Sequence, residues 1–110
     1  MEGFVKGDVV VLPFPYSNLS SSKRRPAFVV ADLDGDDIIL CQITSQAVKD
    51  KYAVSIIDSD FKEGSLKKSS NIRPNRLFTA DKNIILRKIG SVRSEVVKVV
   101  LEKIFDIIEH

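Results

Sequence analysis

Two periodicities divide the chain. Up to about residue 89 the apolar positions fall in short, often β-branched runs separated by polar clusters, and after residue 94 they recur at helical spacing. Residues 8–14 (DVVVLPF) predict a strand that Pro15 stops or turns onto a sheet edge. Residues 17–25 are polar without apolar period and predict a loop. Strands over 26–31 and 38–44 flank an acidic stretch whose Asp34-Gly35 pair is the strongest short hairpin signal in the chain. Further strands are expected over 53–57, 71–73, 77–79 and 83–89, the last ended by Gly90, with residues 58–69 as a charged connection. Strands this short and frequent predict a mainly β fold, a small and strongly bent sheet or barrel. In the tail, Val97, Val100, Leu101, Ile104, Phe105 and Ile108 form one stripe, and Glu95, Lys98, Glu102, Asp106 and Glu109 form the opposite one. That is one amphipathic C-terminal helix, with Ser91 or Ser94 placed to cap its first turn and Glu95 near the positive end of its dipole.

With 110 residues, 44% hydrophobic and 29% charged, the expectation is one globular domain over residues 1–110, large enough for a core without disulfide or metal staples. The single cysteine, Cys41, lies in an apolar run and is expected to pack as a small hydrophobe. No basic-then-apolar leader and no apolar stretch of membrane-spanning length is present, so a cytoplasmic protein without a membrane partner is expected. Asp32, Asp34 and Asp36 alternate as the first ligands of a calcium loop would. The glycine position of such a loop is Asp37 and its glutamate position is Ile43, so a turn explains these residues better. His110 is the only histidine and the last residue, which leaves no positioned imidazole for acid–base work and no carboxylate–histidine cluster for a metal. No cofactor is expected.

Seventeen basic against fifteen acidic residues give only +2, so net charge alone does not argue for nucleic acid. The distribution says more. Lys23-Arg24-Arg25, and later Lys67, Lys68, Arg73 and Arg76, stand apart from the acidic turn and the balanced helix. Brought together by folding they form an anion-binding face suited to phosphates; left apart they are a solubilising surface. Thr44-Ser45-Gln46 closes an apolar strand, where such residues usually satisfy turn backbone groups. Arg25 immediately precedes Pro26, which biases it toward an extended conformation. One antiparallel hairpin through Asp34-Gly35 sets the start of the strand after Arg25 beside the end of the strand carrying Thr44, so both should meet at one rim.

These residues also carry a resemblance. Gly7-Asp8-Val9-Val10, Lys23-Arg24-Arg25-Pro26-Ala27 with its following β run, Gln42-Ile43-Thr44-Ser45, Asn71-Ile72-Arg73-Pro74 through Arg76-Leu77-Phe78-Thr79, and Leu86-Arg87-Lys88-Ile89-Gly90 before a final helix resemble, in order and spacing, the MazF/PemK family of toxin endoribonucleases. The resemblance implies an SH3-like small barrel with a terminal helix, a homodimer, a cognate antitoxin as partner, and metal-independent cleavage of single-stranded RNA. It assigns catalysis to Arg25 and Thr44, and RNA binding is then expected of Phe14, Lys23, Arg24, Ser45, Gln46, Arg73 and Arg76. Ser45 stands where threonine is also common, a mild departure that keeps the hydroxyl. Residues 14–24, the expected first loop, would lie over the RNA groove, and their sequence gives no readable base preference. The implied chemistry is attack by the 2′-hydroxyl on the adjacent phosphate, giving a 2′,3′-cyclic phosphate and a 5′-hydroxyl. Arg25 can donate a fork of hydrogen bonds to the phosphate, and its high solution pKa makes the part of base chemically demanding. A non-enzymatic toxin of the gyrase-poison type and a plain RNA-binding barrel are the alternatives. The arginine–proline and Thr44-Ser45 pairing favours the nuclease over the first, and the second leaves Thr44 unexplained.

Overall fold

The computed structural model describes residues 3–15 and 22–110. Among the described residues, seven strands run as β1 (Asp8–Pro15), β2 (Ser22–Asp32), β3 (Asp37–Thr44), β4 (Val54–Ile56), β5 (Phe61–Gly64), β6 (Ser70–Asp81) and β7 (Arg87–Val92), followed by helix α1 (Ser94–Glu109). They form one antiparallel sheet in the order β4-β6-β3-β2-β1-β7-β5, curled into a half-barrel. The fold is mainly β with a C-terminal helix, as the sequence predicts. Its edge strands are only three and four residues long, which leaves little template for pairing with another chain. No described helix is long and apolar enough to cross a membrane.

Both faces of the sheet are covered, which explains why its central strands read as continuous apolar runs. Val9, Phe28, Cys41, Ile43 and Ile72 pack with Val100 and Ile104 of α1 on one side, and Val10, Leu12, Ala27, Val29, Ile38 and Leu40 form a second cluster on the other. Neighbouring residues of a strand therefore enter different cores. Fully burying each aliphatic side chain contributes about 2 kcal/mol. Cys41 is one of these core residues, and burial pushes its thiol pKa up to about 12. It packs as expected.

Several local readings change once strands find their neighbours. Ser22 to Arg25 are not loop: they extend β2 and pair with Pro15 to Leu12 of β1. Pro13 and Pro15 are tolerated there because β7 pairs with β1 only as far as Val11, so beyond that point β1 has a neighbour on one side alone. Residues 71–73 and 77–79 belong to one strand, β6, interrupted by a bulge. The 58–69 connection contains β5, and residues 82–84 form a 3-10 turn, with Asp81 accepting the Asn83 N–H (2.8 Å), so that β7 starts only at Arg87. The helix begins after Arg93 without a side-chain cap. Ser91 is instead buried in β7 and donates to Glu63 (3.2 Å), and Ser94 lies inside the first turn. Of the expected apolar stripe, Phe105 and Ile108 are 59% and 68% exposed; the core contacts of α1 stop before its last turn.

The acidic turn is closed by a lysine. Lys82 Nζ contacts Asp32 Oδ1 at 2.6 Å and donates to the carbonyls of Leu33 and Gly35, both at 2.9 Å. The ammonium thus neutralises a cradle whose spacing resembles a calcium loop. Within this turn only Gly35 takes a left-handed φ, 78°, and residues 33–36 separate β2 from β3, so the connection is longer than the two-residue turn that its Asp-Gly pair suggests.

Gly90 does not end a strand as expected but lies buried within β7, where it pairs with Gly64 of β5. Gly64 has φ 70°, and a Cβ added to it would come within 2.1 Å of the Ile89 carbonyl oxygen. Gly64→Ala is expected to cost about 2 kcal/mol or more through strain and steric displacement of β5, seen as a lowered melting midpoint. An unchanged midpoint would mean that β5 and β7 do not approach this closely.

Candidate functional site

Strand parity builds the site. Phe14, Arg25, Gln42 and Thr44 each stand an even number of residues from a member of the second core cluster on the same strand, namely Leu12, Ala27 and Leu40. They continue that face past its apolar part. The β2–β3 pairing starts at Ala27↔Gln42, next to Pro26, which has no N–H to prolong the ladder. Arg25 and Thr44 therefore flank an opening at the rim. The meeting expected from one hairpin is present: both residues line the same two cavities.

The larger cavity, about 910 Å³, is lined by Lys23, Arg24, Arg25, Lys67, Lys68, Arg87 and Lys88, together with Thr44 and Ser45, and by no carboxylate among the described residues. Of the second basic group of the sequence, Lys67 and Lys68 join Lys23, Arg24 and Arg25 here, while Arg73 and Arg76 line the smaller cavity described next. Lys67 and Lys68 arrive on the β5–β6 connection. Arg87 arrives because Val11 pairs with Pro26 on one side and with Arg87 on the other. Lys88 is partly committed elsewhere, 3.5 Å from Asp8 Oδ1 and 3.6 Å from Glu63 Oε1. Asp8 is buried; its Oδ2 accepts the Val5 N–H at 2.9 Å, and its Oδ1 faces Lys88 without a hydrogen bond.

The smaller cavity, about 240 Å³, adds Phe14, Gln42, Gln46, Arg73 and Arg76 to Arg25, Pro26, Ile43 and Thr44. Phe14 packs edge-on against Phe78, with ring centroids 4.8 Å apart. Arg73 pairs with Gln42, and Leu77 with the adjacent Cys41. Pro74, Asn75 and Arg76 are consequently extra residues on β6, and the bulge brings Arg76 to the wall. Thr44 Oγ1 accepts the Gln46 N–H at 3.1 Å. The ordinary turn-satisfying role is therefore real, and the hydroxyl still has its hydrogen to donate.

Asp50 organises the loop behind this wall. Its Oδ1 accepts the N–H groups of Tyr52 (2.9 Å) and Ala53 (3.2 Å), while Oδ2 accepts from Arg73 Nη2 (2.9 Å) and, more weakly, from Asn75 Nδ2 (3.4 Å). The hydrogen bond from Arg73, aided by the two backbone donors, holds the Asp50 carboxyl below its ordinary range against the opposing effect of desolvation. Arg73 Nε is buried without a hydrogen-bond partner. Asn71 Nδ2 donates to the Gln46 carbonyl at 3.3 Å, a second tie between this loop and β6.

All nine site residues expected from the sequence line one cavity or the other. Arg87 and Lys88 were visible as an adjacent basic pair, but only the β1–β7 pairing shows where they point. The tie between Asp50 and Arg73 carries no local signal, because the two stand 23 residues apart. Gln42 was visible at its strand position without any indication that it faced a cavity.

The fold is similar to that of an endoribonuclease in complex with its cognate antitoxin from a mycobacterial species, at 13% identity over 97% of this chain and 96% of that one (TM-score 0.78). It is also similar to MazF (Form-I) from Deinococcus radiodurans, at 19% identity over 100% of both chains (TM-score 0.76). A MazE–MazF structure (Form-II) from the same organism matches at 16% identity over 99% of this chain and 98% of that one (TM-score 0.77). No curated protein sequence matches significantly. With residues 5–108 matching the model of PemK-like, MazF-like toxins of type II toxin–antitoxin systems, the chain belongs to that toxin family.

Proposed function

We propose that this toxin is a sequence-selective, metal-independent endoribonuclease acting on single-stranded RNA. The observation that carries the reading is the convergence of Arg25 and Thr44, from different strands, on two adjoining cavities, the larger lined, among the described residues, by basic side chains and no carboxylate. A polyanion entering there exchanges its counterions for lysines and arginines. The 2′-hydroxyl next to the scissile phosphate attacks phosphorus. A 2′-O–P bond forms, the P–O5′ bond breaks, the 2′-proton is released and the departing 5′-oxygen takes up a proton. Arg25 donates its planar fork to the phosphate oxygens, where charge builds in the transition state. Thr44 donates its O–H to a non-bridging oxygen while Gln46 N–H holds the hydroxyl oxygen in place. Lys23, Arg24, Ser45, Arg73 and Arg76 contact the flanking nucleotides, with Phe14 and Gln46 against bases.

Similar solved structures named as an endoribonuclease with its cognate antitoxin and as MazE–MazF support an antitoxin as partner. An acidic, flexible antitoxin segment would cover the same basic cavity and obstruct the RNA path. Exposed Val5, Ile84, Leu86, Phe105 and Ile108 support a twofold dimer of this chain. The cytoplasm, where RNA substrates lie, is the corresponding compartment.

The test is to incubate the purified protein with a mixed single-stranded RNA pool and sequence the new 5′ ends. New ends at a shared sequence, bearing 5′-hydroxyls, are expected. RNA bound but uncut points to a plain binding barrel, and neither binding nor cutting points to a toxin with a protein target.

A further inference from the structure

A carboxylate beside a surface that binds a polyanion weakens that binding by repulsion, which a second task can offset. Asp50 is such a carboxylate. It does not line either cavity with Arg25 and Thr44, yet its Oδ2 lies 2.9 Å from Nη2 of Arg73, which does line the smaller one. The ion pair is partly withdrawn from water, with the two side chains 21% and 26% exposed. Asp50 is itself fixed by two backbone N–H groups on its other oxygen. A long arginine side chain is thus tied at one nitrogen to a carboxylate that its own loop backbone holds, and its Nε–H remains unpaired and desolvated. An oriented guanidinium loses less conformational freedom when it engages a substrate than a mobile one does.

We propose that Asp50 is a positioning residue for RNA: it holds the Arg73 guanidinium in the wall of the cavity beside Arg25 and Thr44, and acts on the substrate only through Arg73. The proposal rests on the nuclease reading above for its substrate class. It also makes a prediction of sign. Asp50→Asn keeps an oxygen for the Tyr52 and Ala53 N–H groups but sets an amide N–H against Arg73. Removing a negative charge from a polyanion site should tighten RNA binding if charge alone mattered. Loss of orientation weakens it.

The test is a double-mutant cycle of Asp50→Asn and Arg73→Ala. Binding is measured with a fully 2′-O-methylated single-stranded RNA pool, cleavage with the unmodified pool, both well below the lowest melting midpoint. Asp50→Asn is expected to weaken binding roughly tenfold, the coupling typical of contacting groups, and to cause no loss in the Arg73→Ala background. Arg73→Lys, which keeps the ion pair but not the planar fork, is expected to show a similar loss with the fold unchanged. Binding equal to or tighter than wild type in Asp50→Asn, an equal loss in both backgrounds, or a wild-type Arg73→Lys overturns the proposal. Wild-type protein that binds but does not cut defeats the nuclease reading alone, because the binding cycle still reads the role of Asp50.

Discussion

Arg25→Ala is expected to slow RNA cleavage by about a hundredfold or more, the usual size of effect when a donor to a charged transition state is lost. The fold should survive. Arg25 is only half-buried, at the part of β2 that pairs with Leu12 of β1 but has run past its ladder with β3, so alanine leaves no core cavity. Thr44→Val should also lose activity, for two separable reasons: the donor to the phosphate disappears, and so does the acceptor for the Gln46 N–H. Thr44→Ser keeps both groups and should retain most of the rate. Initial rates on the cleaved RNA, with circular dichroism as control, decide the matter. Wild-type rates in Arg25→Ala or in Thr44→Val, at unchanged dichroism, would remove that residue from the mechanism.

The second large effect concerns the substrate. The only histidine is His110, and no carboxylate among the described residues lines the larger cavity, so the proposed nucleophile is the RNA's own 2′-hydroxyl. A single deoxyribose 5′ of the scissile phosphate should abolish cutting. Binding should fall far less, since the phosphates and bases remain for Lys23, Arg24 and Arg73. The all-RNA oligonucleotide should be cut at an unchanged rate in excess chelator. Cutting of the deoxy-substituted strand, or loss of activity on RNA when metal is removed, would show that a different nucleophile or a metal takes part, even if the protein is a nuclease.

What could be read from the sequence follows the distance over which each feature is determined. The β2–β3 hairpin needs only two apolar runs and the glycine between them, so the nearness of Arg25 to Thr44 was accessible without knowing any other strand. The helix likewise announces itself by its period. The β1–β7 and β3–β6 pairings join segments far apart in sequence, and packing decides them. Without them nothing shows that Arg87 stands across β1 from Pro26 or that Asp50 reaches Arg73. Local rules also misplace strand ends. Residues 71–73 and 77–79 read as two strands, but β6 joins them and takes up Pro74 in a bulge. Polar Ser22 to Arg25 read as loop, and pairing with β1 makes them strand. The first part of that expected loop, residues 17–21, lies outside the described residues.

The bulge in β6 has a consequence for changes in chain length. Ile72 and Arg73 are paired before it and Leu77 and Phe78 after it, so the ladder on either side does not depend on how many residues loop out between them. Lengthening or shortening the Pro74–Asn75–Arg76 segment would alter the rim of the smaller cavity while both cores keep their register. Small insertions and deletions at this one point would therefore reshape the cavity wall beside Arg25 and Thr44 while leaving the paired segments on either side in place.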